Sequence, residues 1–396
     1  MTADARRLAG PALAEALRDA RATTLARTMD LDDDAWRVPQ QAGVNPVAWE
    51  LGHLAWFAEF WILRGPHRLG NDGFVVAREP AAIAGPDAIF DSARLAHADR
   101  WQVELPSRSE LLRRLDGQLA ACLDRIAPDE DDDAANYFHR LALFHEDMHG
   151  EAFTWLRATF GWPVPAATPP LPALPASEPL AIAGGELVLG HAAGARGFAF
   201  DNEEPPLAIR VGAFEIDATP VRNAEFARFV DAGGYNDRTL WPGAAAAWRA
   251  RQPRAYPTRW RRRDGGGWQM RWFDRWQPLA AEAPVIHVSA WEAEAYCRWA
   301  KRRLPTAAEW ERAARDPRFH WGRSVWEWTA DAFSPYPGFV AGPYADYSRP
   351  WFGDHRELRG GAFATHARLH DPRYRNFFVA DRNDVFAGFR TAALAH

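Results

Sequence analysis

The stretch that decides the fold of this 396-residue chain is Phe144-His145-Glu146-Asp147-Met148-His149-Gly150-Glu151. Its two histidines are four residues apart, so on a helix they lie on the same face, one turn from each other. That spacing lets two imidazoles bind one metal ion. A helix predicted over 134–160 carries the stretch, and its inward-facing histidines predict a helix bundle with a metal site in its core.

Three further helices are predicted before this one, and one of them carries a third histidine. Apolar periodicity predicts helices over 8–30 and 109–126. Between them, Asn45 as N-cap and Pro46 as first helical residue predict the start of another. That helix is apolar nearly all round and should be buried, with His53 in its middle. A single buried histidine is more often a hydrogen-bonded core residue than a ligand, but the histidine pair of the opening stretch favours a ligand.

The composition excludes several classes of protein. The chain is 47% hydrophobic and 25% charged, which is typical of a globular protein. Its formal net charge of 47 − 52 = −5 gives no reason to expect a nucleic acid or a membrane as partner. No apolar run has the length of a signal-peptide core or a membrane span, so we expect a cytoplasmic protein without an obligate protein partner. Cys122 and Cys297 alone cannot form a disulfide framework or a cysteine-based zinc site.

A proline-rich stretch over 163–179 marks the clearest domain boundary, because such a stretch forms a semi-rigid extended linker. We therefore expect a helix bundle over 1–162 and a second domain over 180–396. In the second domain, short strands and helices alternate with loops rich in Gly, Pro and Trp. The strands are predicted at 186–190 and 214–217, and the helices at 223–232 and 289–302.

The C-terminal half resembles the formylglycine-generating-enzyme (sulfatase-modifying factor) domain, which has a C-type-lectin-like fold. Six motifs carry the resemblance, in the expected order. They are Thr219–Phe226, Pro284–Ala293, Arg303–Glu311, Val325–Thr329, Arg359–Phe363 and Gly388–Arg390. Formylglycine generation itself needs a cysteine pair near the C-terminal end of this fold. Residues 298–396 contain no cysteine, so that copper-dependent chemistry is excluded.

The N-terminal half resembles the DinB-like four-helix bundle that precedes this domain in the nonheme-iron sulfoxide synthases of ergothioneine biosynthesis and the related selenoneine synthases. The resemblance covers almost the whole chain and implies a two-domain α+β protein with its active site between the domains. It implies iron(II) as cofactor, bound by His53, His145 and His149. It also implies hercynine and O2 as substrates, with a C–S or C–Se bond formed at C2 of the hercynine imidazole.

The predicted floor of the substrate pocket departs from the sulfoxide synthases at one position. Asn376, Phe377 and Arg382 match the family pattern, whereas Phe378 stands where that pattern has an aspartate. The resemblance assigns all four residues to substrate binding, and the change removes a carboxylate from the donor side.

The bundle also departs from the sulfoxide synthases. Those enzymes grip the carboxylates of gamma-glutamylcysteine with closely spaced arginines, and Arg94, followed six residues on by Arg100, lies in the corresponding region. Met148 stands where they often have a glutamine that touches the substrate imidazole. A donor without carboxylates would not need these groups. We therefore place a selenosugar donor, and selenoneine synthesis, ahead of gamma-glutamylcysteine or cysteine and ergothioneine synthesis.

The resemblance implies an active-site tyrosine that acts as proton donor or reductant. Tyr344 and Tyr347 are the best matches, and Tyr374 is a weaker one. The alternative interpretation is that these tyrosines are packing or surface residues of a loop.

Two other classes of protein compete with this interpretation. His145, Glu146 and His149 also match the His-Glu-x-x-His motif of zinc peptidases, in which the glutamate is the general base. A peptidase needs a third ligand downstream, and the residues that follow do not offer an obvious one. A lectin-like binding module without catalytic activity would leave His53 and the histidine pair unexplained.

Overall fold

A computed structural model gives the fold and describes residues 4–166 and 168–394. The chain divides into two compact units. The first unit contains the chain up to Leu156, together with residues 165–166 and Arg196–Ala199. The second contains Arg157–Val164, Thr168–Ala195 and the chain from Phe200 onward. None of the helices in the described residues combines the length and the hydropathy that crossing a bilayer requires.

Helices dominate the first unit. They are α1 Gly10–Thr28, α2 Asp33–Arg37, α3 Val47–Ala58, α4 Asp87–Phe90, α5 Arg108–Leu123 and α6 Asp133–Phe160. A π-helical turn, Glu59–Leu63, extends α3. Strands β1 His67–Leu69 and β2 Val75–Ala77 form an antiparallel hairpin. The longer helices α1, α3, α5 and α6 confirm the four predicted helices.

The start of α3 corrects one prediction. Pro46, not Asn45, holds the N-cap position, and no side chain caps the helix there. The amide oxygen of Asn45 instead accepts a hydrogen bond of 2.6 Å from Arg100. The predicted cap is therefore wrong, because a contact distant in sequence takes the oxygen that would have capped the helix.

Small and aliphatic side chains hold α6 in the middle of the bundle. Leu13 and Leu17 of α1 pack with Leu143 of α6. Cys122 of α5 packs with Ala142 of α6. Fully burying a leucine side chain contributes about 1.5–3 kcal/mol to stability. These contacts fix the rotation of α6 about its axis. They therefore also fix the direction in which its histidine pair points.

The second unit is a mixed arrangement of short strands and helices. Its strands are β3 Pro179–Ile182, β4 Gly185–Leu189, β5 Leu207–Val211, β6 Phe214–Asp217, β7 Trp260–Arg262, β8 Trp268–Trp272, β9 Arg275–Pro278, β10 Trp326–Ala332, β11 His355–Gly360, β12 Asn376–Val379 and β13 Ala387–Gly388. Its helices are α7 Asn223–Asp231, α8 Ala244–Arg251, α9 Ala290–Trp299 and α10 Ala307–Ala313. Elements β4, β6, α7 and α9 confirm the strands and helices predicted for this domain.

The largest sheet of the second unit has the order β12-β11-β10-β13. Strands β10 and β13 are parallel, and the other neighbours are antiparallel. Strands β7, β8 and β9 form a second, antiparallel sheet, and β3–β6 and β4–β5 form two antiparallel pairs.

Buried ion pairs hold the large sheet. Arg359 of β11 is fully buried and donates to Glu357 at 2.7 Å and to Glu311 at 3.0 Å. Arg390 donates to Glu327 of β10 at 2.7 Å. A buried charge is costly unless a partner compensates it. Each of the two arginines, which belong to the sequence motifs of this domain, therefore has the carboxylate partner that its burial requires.

Candidate metal centre

Three histidines from two helices meet inside the first unit. His53 lies on α3, and His145 and His149 lie on α6. The Nε2 atom of His145 lies 3.2 Å from the Nε2 atom of His53 and 3.2 Å from that of His149. Among the described residues, these three side chains form the one group of histidine, cysteine or acidic residues placed to share a metal ion. His53 and His145 are buried, and His149 is partly exposed.

The orientation of His53 depends on a glycine. A Cβ atom at Gly52 would lie 2.1 Å from the ring of Phe90, so only glycine lets Phe90 pack this closely against α3. The carbonyl oxygen of Phe90 accepts a hydrogen bond of 2.8 Å from Nδ1 of His53. Trp49, one turn earlier on α3, stacks on the imidazole with ring centroids 5.0 Å apart. The tight packing at Gly52 thus helps to set the direction of Nε2 of His53.

The orientation of His149 depends on a carboxylate that the sequence analysis missed. Glu50 of α3 is buried, and its Oε1 lies 2.5 Å from Nδ1 of His149. The third imidazole, that of His145, stacks on Phe57 of α3 with ring centroids 3.6 Å apart and planes inclined by 8°. Helix α3 therefore supplies one histidine and also contacts both histidines of α6.

These partners determine which ring nitrogens carry protons. A carbonyl or carboxylate oxygen can only accept, so Nδ1 of His53 and Nδ1 of His149 donate. In the neutral imidazoles, their Nε2 atoms then carry lone pairs, and both face Nε2 of His145. Nε2 of His145 carries at most one proton. At least one of its two contacts, with Nε2 of His53 or with Nε2 of His149, therefore has no proton between the nitrogens. A cation among the three nitrogens relieves this repulsion.

Burial keeps two of the imidazoles neutral. It holds the pKa of His53 and of His145 well below the usual value for histidine, because a charged ring loses its hydration there. The nearby ring of His149 lowers the pKa of both further. Neutral imidazole is the form that binds metal ions.

The spacing and the donor set fit a transition metal. Two nitrogens, each about 2.1 Å from an ion and at right angles to each other, would be about 3.0 Å apart. The separations of 3.2 Å are close to that value. Imidazole ligands suit zinc, copper, iron and nickel. Three protein ligands leave coordination positions open, as in catalytic rather than structural sites.

Glu146, the glutamate of the zinc-peptidase motif, is held in a buried ion pair with α1. Its Oε1 accepts from Nε of Arg21 at 2.7 Å, and its Oε2 accepts from Nη2 at 3.2 Å. The same guanidinium donates to the carbonyl oxygen of Leu115 and to the side chain of Gln118. A general base must reach a metal-bound water. A carboxylate with both oxygens on a buried arginine does not serve as that base.

The second unit pairs Tyr347 with another tyrosine. The two Oη atoms of Tyr347 and the buried Tyr374 are 3.1 Å apart, and the ring of Tyr347 stacks on Phe200 with centroids 4.6 Å apart. Burial raises the pKa of Tyr347 well above the usual value for tyrosine, and the neighbouring phenol of Tyr374 adds to this. Tyr347 therefore keeps its proton at neutral pH. The ring of Tyr344 lies 6.2 Å from that of Tyr347.

The residues predicted for the pocket floor lie on and just after β12. Asn376, Phe377 and Phe378 are consecutive residues of this strand, so their side chains alternate between its two faces. The guanidinium of Arg382 lies 4.9 Å from the ring centroid of Phe378. Its Nε donates to Asp384 at 2.7 Å, so this arginine already has a carboxylate partner.

The two residues of the bundle that are predicted to bind substrate have different surroundings. Arg94 forms ion pairs with Asp72 at 3.1 Å and with Asp91 at 3.2 Å, and its guanidinium lies over Phe74. Met148 is partly exposed, on α6 just before the last histidine of the cluster.

Comparisons with known proteins agree with this architecture. Residues 16–159 match the family model of the DinB superfamily. Residues 165–325 match that of the sulfatase-modifying factor enzyme 1-like domain. The predicted α+β fold, a DinB-like helical domain followed by a domain of formylglycine-generating-enzyme type, is therefore confirmed.

Two curated relatives match this chain over almost its whole length, and a third matches about half of it. A hercynine oxygenase of Mycobacterium tuberculosis is 34% identical over 95% of this chain and 97% of its own length. A hercynine oxygenase of Mycolicibacterium thermoresistibile is 32% identical over 96% of this chain and 94% of its own length. A formylglycine-generating enzyme of Streptomyces coelicolor is 30% identical over 52% of this chain and 85% of its own length.

Proposed function

The chain belongs to the hercynine oxygenase family, and on that premise we propose that it is an iron(II)- and O2-dependent enzyme acting on hercynine. The reaction proposed is formation of a C–Se bond at C2 of the hercynine imidazole, with a selenosugar as donor. The observation that carries the proposal is the convergence of three Nε2 atoms, from His53, His145 and His149, on one point inside the bundle.

The residues of the chain prepare the site for the metal and the substrates. The histidines hold their Nε2 lone pairs toward one point, because Phe90 and Glu50 fix the protons of His53 and His149 on Nδ1. Iron(II) bound there would supply the binding and activation of dioxygen at its open positions. The aromatic rings packed around the imidazoles exclude water from this side of the site.

Tyr347 is the proposed proton donor. Its raised pKa keeps the proton on Oη at neutral pH, and the Oη of Tyr374 is within hydrogen-bonding distance. When Tyr347 gives up its proton, Tyr374 can donate a hydrogen bond to the phenolate that remains. This hydrogen bond would stabilise the phenolate and so offset part of the cost of deprotonating a buried phenol.

The surroundings of two residues support the selenosugar as donor. Arg94 is in ion pairs with two aspartates, so a donor carboxylate would have to compete with them for the guanidinium. Phe378 adds an aromatic ring where the sulfoxide synthases have an aspartate. The second candidate is formation of the C–S bond with gamma-glutamylcysteine or cysteine. The full-length similarity to hercynine oxygenases favours that alternative.

Metal content tests the iron site. His53→Ala, His145→Ala and His149→Ala should each lose iron retention and activity, measured by elemental analysis of protein loaded under anaerobic conditions. His139→Ala is the matched control. His139 lies on the same helix and is buried, but its ring contacts the carbonyl oxygen of Cys122 instead of the cluster. Full iron content and activity in a ligand variant would refute the assigned site.

A donor competition tests the reaction. The iron-loaded enzyme is given hercynine and O2 with selenoglucose, gamma-glutamylcysteine or cysteine, and the products are identified by mass spectrometry. We expect the largest kcat/KM with the selenosugar. A clear preference for a thiol would establish the alternative. Iron binding without turnover of hercynine by any donor would overturn both.

A further inference from the structure

Glu50 stands out because it is a carboxylate inside a helix that is otherwise almost entirely apolar and buried. It lies three residues before His53 on α3, and only 1% of its surface is exposed. Its Oε1 contacts Nδ1 of His149 at 2.5 Å. One turn of α3 therefore carries both His53, a member of the cluster, and Glu50. The carboxylate of Glu50 contacts His149 at Nδ1, the ring nitrogen that faces away from the cluster.

The charge of Glu50 has no fixed cation beside it. Among the residues that the structure describes, no arginine or lysine forms an ion pair with Glu50, and its contact is with the imidazole of His149. Burying a carboxylate is costly unless a positive charge compensates it. A positive charge fits on the other side of the His149 ring, among the three Nε2 atoms. A divalent ion there would be attracted by Glu50 through the ring of His149.

The outer partners of the histidines are unequal. Nδ1 of His53 donates to a neutral carbonyl oxygen, that of Phe90. Nδ1 of His149 donates to a charged carboxylate. A charged acceptor draws the Nδ1 proton more strongly and so makes the opposite nitrogen a better electron donor. His149 should therefore be the stronger of these two ligands.

We propose that Glu50 is a positioning residue that fixes the tautomer of His149 and raises the affinity of the three-histidine site for a divalent metal. The inference rests on the proposed function, because it assumes that the cluster holds a metal ion. It adds an outer carboxylate to the site and assigns His149 a role distinct from that of His53.

The test compares the affinity of three variants for Co²⁺, used as a spectroscopic substitute for iron, with that of the unmodified chain. Affinity is measured by competition with a chelator. Glu50→Gln keeps an oxygen that can accept from Nδ1 but removes the charge, and Glu50→Ala removes both. We expect about a tenfold loss of affinity for the first and up to about 100-fold for the second. The visible absorption of the bound Co²⁺ should shift in both, which a general loss of stability does not produce.

Glu59→Gln is the third variant and the matched control. Glu59 follows on the same helical segment, is equally buried, and accepts from the backbone N–H groups of Ala82 and Ile83. Its replacement should lower stability and leave the affinity for Co²⁺ within about twofold. If Glu50→Ala does not fold, the isosteric Glu50→Gln variant still decides the question.

The outcomes separate this inference from the proposed function. Unchanged affinity and an unchanged spectrum in Glu50→Gln, in a chain that turns over hercynine, would overturn the role of Glu50 and leave the enzyme activity standing. Weakened Co²⁺ binding in the Glu50 variants, in a chain that turns over no hercynine with any donor, would support the role of Glu50 and overturn the activity.

Discussion

Replacing Glu146 tests whether the glutamate beside the first histidine of α6 serves catalysis or stability. The side chains of Glu146 and Arg21 are 6% and 4% exposed, and their closest atoms are 2.7 Å apart. Glu146→Ala would leave the guanidinium of Arg21 buried without its charge partner. Breaking a buried pair in this way costs about 3–5 kcal/mol, whereas an apolar replacement of both partners is often neutral.

The loss can be measured as the change in the free energy of unfolding in urea. Far-UV circular dichroism is a suitable signal because the longest helices lie in the first unit. We expect Glu146→Ala to lose about 3–5 kcal/mol, and the double variant Arg21→Met with Glu146→Leu to recover most of it. Glu15→Ala is a surface control from α1, since its pair with Arg18 is 3.7 Å long and largely exposed. It should cost less than about 0.5 kcal/mol.

The zinc-peptidase interpretation makes the opposite prediction. A general base can be removed with little loss of stability, and hydrolytic activity would disappear. A loss below about 1 kcal/mol in Glu146→Ala would refute a structural role for Glu146. A double variant as unstable as the single one would refute the explanation that the loss comes from the unpaired charge of Arg21.

Three further changes test other parts of the structure. Gly52→Ala would place its methyl group against Phe90, so we expect a loss of about 1–3 kcal/mol in urea unfolding and lower iron content. Burial lowers the pKa of His370 to about 4, so the unfolded chain binds more protons below pH 6.5. Stability should fall by about 3 kcal/mol from pH 6.5 to 4 through this group, and His370→Gln should flatten that slope. Tyr347→Phe should lower kcat for hercynine by about 100-fold or more, while Tyr374→Phe, which keeps the donor, should lower it less.

Spacing along a helix, together with the family resemblance, predicts the histidine cluster that the structure shows. Two histidines four residues apart share a face on any helix, so His145 and His149 could be paired without knowledge of the rest of the chain. His53 required a second argument, because its partners lie more than ninety positions away in the sequence. A single buried histidine is more often a hydrogen-bonded core residue, but the presence of the histidine pair favours a ligand, and the family resemblance implies the same residue.

The predicted burial of α3 should also have identified Glu50 as a residue with a partner. A carboxylate in an apolar, buried helix is costly without a partner, so its presence three residues before His53 is a signal of a functional contact. The identity of the partner was not accessible from the sequence, because the Glu50 to His149 contact joins residues 99 positions apart. The incorrect cap at Asn45 has a related cause. Local preference assigns its oxygen to the helix, but Arg100 takes it in the folded chain.

Arginines show most clearly what a sequence leaves undetermined about the donor. The sequence places Arg94 and Arg382 where a substrate could meet them, but it does not show which acid each guanidinium meets first. In the structure Arg94 contacts Asp72 and Asp91, and Arg382 contacts Asp384. A substrate carboxylate that approaches either arginine competes with an aspartate that is already in place, so it gains less than it would from an arginine without a partner. An uncharged sugar does not enter this competition. Under the proposed function, the donor preference should therefore depend less on the number of arginines near the site than on the aspartates that already neutralise them.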